Sequence, residues 1–169
     1  AVELVSKINQ YRADKMAEEN IAKAMNPATH TFKEYAENNP KGLRWVELKS
    51  PEGAENTKAL EDALKYEGDM MGHCVGGYCH DVTSGRSRIF SLRDQKGQPH
   101  VTIETRPNFG DDVGEQIHQI KGKQNLAPKE EYLPFVQDFI KSGNWSRVHD
   151  LQNARMKRDE LGNYQTYAQ

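Results

Sequence analysis

Between Ser87 and Lys123 the hydrophobic pattern switches to a period of two, and no other feature of the sequence restricts the fold as strongly. "SRIFSLRD" and "PHVTIETR" each alternate apolar and polar residues, and "KGQ" between them supplies a short glycine-containing turn. Two alternating runs joined by a tight loop predict an antiparallel hairpin. After "PNFGDD", the segment "EQIHQIKGK" alternates again, with Ile117 and Ile120 out of strict phase. A third strand carrying a bulge accommodates that spacing. Such a meander has an apolar face that needs cover, so Ile89, Phe90 or Leu92, Val101 and Ile103 are expected to pack against a helix carrying Cys74 and against Phe135 and Phe139.

The covering helices are legible in the flanks. "APKEEYLPFVQDFIKSG" places Tyr132, Phe135, Val136, Phe139 and Ile140 on one helical face and ends at Gly143. "NTKALEDALKYEGDMM" places Leu60, Leu64 and Met71 on one face. Residues Val2 to Met25 read as a first helix ended by Asn26-Pro27, and Thr31 to Asn38 as a second that stops before Pro40. "LRWVELK" (Leu43 to Lys49) reads as a strand, and Ser50-Pro51-Glu52-Gly53 as a turn. The expected fold is α+β: a three- to four-stranded antiparallel meander packed against helices, with N-terminal helices and a C-terminal helix. The expected organisation is an N-terminal helical region with one short strand over 1–58, a core over 59–145, and a polar C-terminal helix or tail over 146–169.

Composition narrows the classes of function. A chain of 169 residues holds one domain by the usual size relation. Its apolar content of 36% and mean hydropathy of -0.91 place part of the sequence outside any core. A net charge of -2 provides no global field for nucleic acid, so such a role must be local. No apolar run reaches the roughly 18 residues of a membrane span, and the reading is a soluble cytoplasmic protein with no membrane partner. Two cysteines five positions apart imply free thiols in a reducing compartment. The absence of an initiator Met points to a chain cut from, or processed out of, a longer protein.

Chemistry concentrates around "MGHCVGGYCHDVTSG". His73, Cys74, Cys79 and His80 lie within eight residues as two pairs of neighbours. A zinc site draws ligands from two separated elements, and adjacent side chains do not converge on one ion, so neither a metal nor another cofactor is expected here. If "CVGGYCHDVTSG" is a helix ending near Gly85, Cys74 sits in its first turn, where free N–H groups and the helix dipole stabilise a thiolate. His100 on a following strand would be its base, and His118, Gln119 or Asn125 would orient that base. Cys79 would be core. A rival constellation is Glu104 with Gln119 and Lys121, an acid followed by an (E/Q)-x-K pattern, as in PD-(D/E)xK nucleases, where the acid and its neighbour hold Mg²⁺ and the lysine steadies the attacking water or the phosphate. A further reading groups Arg93 and Arg106 with Arg86, Arg88, Lys121 and Lys123 as one basic face for phosphates or an acidic partner.

"HCVGGYCHDVTSGRSRIFSLRD", "PHVTIET" and "QIKGKQN" together resemble the PcfJ-like proteins of conjugative plasmids and phages, over about Leu60 to Asn144. The family pattern runs His-Cys-Val-Gly-x-Tyr, a strand ending Leu/Ile-Arg, Thr-Leu/Ile-Glu, and Gln-x-Lys/Arg-Gly-x-x-Asn. Its positions fall on His73, Cys74, Tyr78, Arg93, Thr102, Glu104, Gln119, Gly122 and Asn125. The position of His100 is not reliably His in that pattern, which leaves His73 as the motif histidine. The flanks resemble those of very large phage and plasmid polyvalent proteins. The resemblance implies a mobile-element module acting in a host or recipient cytoplasm, and it supplies no reaction.

The combined expectation is a polar site with His73, Cys74, His100 and Glu104 as its chemical groups. Tyr78, Arg93, Thr102, Gln119, Lys121 and Asn125 would hold the ligand. A cysteine-dependent hydrolase or transferase is the leading reading. A PD-(D/E)xK nuclease and a non-catalytic module binding nucleic acid or a host protein are the alternatives.

Overall fold

The computed structural model describes residues 2–24, 26–51, 58–72, 78–109 and 113–167, and leaves the side chains of 16–24 and 78–80 outside the description. Helix α1 (Val2–Ala24) leads into strands β1 (Thr29–Glu34) and β2 (Arg44–Leu48), then helices α2 (Lys58–Met71) and α3 (Tyr78–Thr83). Strands β3 (Arg88–Arg93), β4 (Pro99–Pro107) and β5 (Glu115–Lys121) follow. Helix α4 (Leu133–Ser142) crosses to β6 (Trp145–Val148), and β7 (Met156–Arg158) and β8 (Tyr164–Thr166) close the chain. Among the described residues no helix is long and apolar enough to cross a membrane.

The class is α+β, as expected, but the sheet is larger than a three- to four-stranded meander. Six strands lie in the order β1-β2-β3-β4-β5-β6, with β7 and β8 in a separate two-stranded sheet. Neighbours from β1 to β5 are antiparallel, and β6 runs parallel to β5, which makes the sheet mixed. The predicted hairpin is β3–β4, with Phe90 opposite Ile103 and Leu92 opposite Val101. The predicted bulge is present: register shifts where Glu104 and Thr105 face Gln119 and Ile117, leaving His118 unpaired. That extra residue puts Ile117 and Ile120 on one face, both fully buried.

Two expected helices are strands instead. Residues expected as a helix over Thr31–Asn38 form β1, because "THTFKE" is rich in β-branched and aromatic side chains and finds a ladder partner in β2. The N-terminal region thus contributes two strands rather than one. The polar C-terminal segment, expected as a helix or tail, is β6, a short 3₁₀ turn and the β7–β8 hairpin. Its Ala154 and Met156 are buried against the main core.

Both faces of the sheet are covered. On one, α4 sets Phe135, Val136, Phe139 and Ile140 against Trp45, Phe90, Leu92, Val101, Ile103, Ile117 and Ile120. Trp45 Nε1 donates to the Phe135 carbonyl at 3.2 Å, tying helix to sheet. Gly143 ends α4 with ordinary extended geometry. Its missing side chain makes room for the Trp145 indole, which a Cβ there would overlap. On the other face, α2 packs Leu60, Ala63 and Leu64 on Val46, Leu48 and Ile89. The polar half of the strand alternation is therefore buried too, and every polar group on it needs a partner.

Candidate active site

The α2 side of β3, β4 and β5 carries Ser91, Arg93, Thr102 and Glu104, all buried, and Gln119 beside them. Two carboxylates organise these groups. Glu67, on the inner face of α2 and fully buried, accepts from Ser91 Oγ and Arg93 Nη2 on one oxygen (2.9 and 3.0 Å) and from Thr102 Oγ1 on the other (2.9 Å). Arg93 also donates from Nε to Ser91 Oγ at 2.9 Å and lies over the Tyr66 ring. At 1% exposure Arg93 has no face to offer a ligand. It satisfies a buried charge that would otherwise be very costly.

Glu104 is the second hub. Its Oε1 accepts from Gln119 Nε2 at 2.9 Å, and its Oε2 from Ser87 Oγ at 2.9 Å and Arg106 Nε at 2.6 Å. The sequence-predicted Glu104 and Gln119 thus meet, with the Gln amide as donor and the carboxylate fully buried. Lys121, opposite Thr102, pairs with Asp150 at 3.5 Å. The basic residues do not share a face. Arg88 points to the α4 side, where Glu47 and Glu115 hold it, while Arg86 pairs with Asp81.

His100 bonds to neither hub among the described contacts. Its Nε2 is 2.9 Å from Asp94 Oδ2, and its ring stacks on Tyr132 with centroids 4.6 Å apart. Asp94 Oδ1 meanwhile closes the β3–β4 turn by accepting from the N–H groups of Lys96 and Gln98 at 2.9 and 3.0 Å. Burial works to raise the Asp94 pKa, but the His100 bond and these two N–H groups outweigh it and hold the carboxyl below its ordinary value. An ionised Asp94 fixes the ring with Nε2–H as donor and leaves Nδ1 as the acceptor.

His100 and Tyr132 line a cavity of about 500 Å³ with Lys41, Lys123, Gln124, Lys129 and Glu131. The turn after β5 forms one wall. Gln124 and Asn125 both hold left-handed backbone at φ 60° and 61°, and Gly122 N–H donates to the Leu126 carbonyl at 2.7 Å. A Cβ on Gly122 would lie 2.8 Å from the Ala127 oxygen, so the family-pattern glycine is explained by this close approach. Gly72, which ends α2, sits against Gln124: a Cβ there would be 3.4 Å from Gln124 Cγ.

His73 and Cys74 fall outside the described residues, as do the side chains of Tyr78 and Cys79. The helix expected to start at Cys74 is described from Tyr78 to Thr83. Sequence reading missed Glu67 and Asp94. Glu67 continues the spacing of Leu60 and Leu64 towards Met71, an acid inside an apolar stripe, and that was its signal. Asp94 was hidden by its turn, where an acid is ordinary. Among the described residues no three His, Cys, Asp or Glu side chains are grouped to hold a metal ion.

No curated protein and no solved structure matches the chain at a significant level. The family model described as PcfJ-like protein matches residues 55–137, which takes in α2, α3, β3 to β5 and the first half of α4. Across that span, the chain carries a PcfJ-like domain.

Proposed function

We propose that the PcfJ-like domain is a cysteine-dependent hydrolase or transferase module of a mobile-element protein, with Cys74 as nucleophile, His100 as its base and Asp94 orienting the base. The mobile-element part rests on the family likeness. The observation that carries the chemistry is the Asp94–His100 pair in the wall of a cavity whose other wall, at Gln124, touches Gly72. Cys74 follows Gly72 by two residues in the sequence. A base held in one tautomer by a carboxylate, with its second nitrogen free to accept, is what an activated thiol needs. The thiol gives its proton to His100 Nδ1 and attacks an electrophilic centre. The leaving group takes that proton, and water or a second nucleophile releases the covalent intermediate.

Glu104 and Gln119 tie β4 to β5 on the helix-covered face of the sheet and take no part in the Asp94–His100 pair. Three donors already engage both oxygens of the buried Glu104 carboxylate, and that supports a structural anchor for β4 and β5 more than a ligand for Mg²⁺.

Thiol chemistry tests the reading. In a Cys79→Ser background, the alkylation rate of Cys74 by iodoacetamide should titrate with a midpoint well below the roughly 8.5 of a free thiol. His100→Ala should move that midpoint up by a unit or more, and Asp94→Asn should move it in the same direction by less. A midpoint at the free-thiol value, or one that ignores His100→Ala, sinks the assignment.

A further inference from the structure

The cavity beside His100 has a charge pattern of its own. Three lysines line it, Lys41, Lys123 and Lys129, against one carboxylate, Glu131. Glu131 is already engaged, accepting from Lys41 Nζ at 2.9 Å, and Lys41 also donates to Tyr132 Oη at 3.1 Å. The other acid nearby, Asp94, is committed to His100 and its own turn. Lys123 and Lys129 form no salt bridge among the described residues, although Lys129 helps hold Glu131 ionised, and three lysines against one carboxylate leave about two net positive charges on one concave surface. Leu126, Ala127 and the Tyr132 ring add apolar surface to the lining.

We infer that this cavity binds a small organic phosphomonoester, the phosphate seated between Lys123 and Lys129 and the organic part resting on Leu126 and Tyr132. A phosphomonoester carries a charge of about −1.5 to −2 near pH 7, which matches the two uncompensated ammonium groups. Lysine binds phosphate as a point charge and needs no bidentate geometry. A volume of about 500 Å³ suits a metabolite-sized molecule and exceeds what a bare anion would fill. The wall is also preformed. Consecutive left-handed residues at Gln124 and Asn125 and the contact of Gly122 with Ala127 and Pro128 fix the turn that carries Lys123 and precedes Lys129. Non-glycine residues held in that conformation cost energy, and such strain concentrates at binding sites. As the substrate class of the Cys74 site this rests on the reading above; as a binding site it stands on described residues alone.

Calorimetric titration of the full chain with phenyl phosphate, inorganic phosphate and phenol reads the inference directly. Phenyl phosphate should bind at one saturable site, at least several-fold tighter than inorganic phosphate, with phenol weakest. The double variant Lys123→Gln/Lys129→Gln should weaken phenyl phosphate binding tenfold or more with an unchanged melting temperature. Lys65→Gln, on the outer face of α2, should leave binding as it was. Absence of saturable binding, equal affinity for phenyl phosphate in the double variant, or an equal loss in Lys65→Gln would each overturn the phosphomonoester site. None of these would touch the thiol titration.

Discussion

At the scale of single residues, the bulge on β5 gives His118 a measurable role. Burial lowers its pKa. Glu104 opposes that shift, Arg106 and His149 add to it, and Asp150 opposes it again, with the net shift downward. A histidine that prefers to be neutral when folded takes up its proton more readily in the unfolded chain. Stability is therefore full above the unfolded value of about 6.5 and is lost as pH falls through it towards the lowered folded value. His118→Gln should flatten that slope, and urea unfolding at pH 7.5, 6.0 and 5.0 would show it. A wild-type protein whose stability does not fall between pH 7.5 and 5.0 would contradict the assignment. Gly122 makes a second case. Its φ is ordinary, so the cost of Gly122→Ala comes from overlap with the Ala127 carbonyl and Pro128 backbone, about 1 to 3 kcal/mol for an overpacked site. An unchanged midpoint in urea would count against it. Sequence marks Gly122 only as a position in a family pattern, because close approach of a later loop is invisible to local reading.

Between elements, the interaction peculiar to this fold is the ion pair that joins α2 to the sheet. Removing one member of a buried pair strands the other, and Arg93→Met is expected to cost about 3 to 5 kcal/mol. Replacing both should cost much less than the sum of the single changes. The double mutant Glu67→Leu/Arg93→Met, compared with each single variant in guanidinium, measures that coupling, and additive costs would show that the pair is not acting as a unit. The same pair explains what alternation could reveal and what it could not. "SRIFSLRD" and "PHVTIETR" correctly show two strands and the apolar side that meets Phe135 and Phe139. The polar side looks like a solvent face, and only the position of Glu67 in the stripe of α2 hints that a helix covers it. β1 and β6 were lost for a related reason: short edge strands owe their state to the ladder beside them, and a parallel β5–β6 pair leaves no turn signature in sequence. Cys74 and His100 stand out as candidates by residue type alone, but Asp94 and the lysine-lined cavity arise from pieces brought together only by the fold.

For the whole molecule, the boundaries of the family match and of the folding unit need not coincide. Residues 55–137 lack β1, β2 and β6, and they cut α4 before Phe139 and Ile140. Without β2 the fragment loses Trp45, Val46 and Leu48, which contribute to both cores, and exposes the long edge of β3. The apolar area removed from both faces at once cannot be replaced by what remains, since a domain's stability is a small difference between large terms. Residues 26–167 keep all of it. Asn26 donates to the Ala59 carbonyl at 2.9 Å and accepts from Ala28 N–H at 2.7 Å, so the unit starts at a fixed point. By contrast, the described side chains of α1, residues 2–15, are exposed, and α1 meets the domain at α2 alone among the element pairs in close approach, so most of its length adds helix propensity rather than core. A fragment of residues 26–167 should therefore melt within a few degrees of the full chain, while one of residues 55–137 should give no cooperative transition by circular dichroism or calorimetry. Cooperative melting of the shorter fragment would show that the six-stranded sheet is an accretion on a smaller independent core.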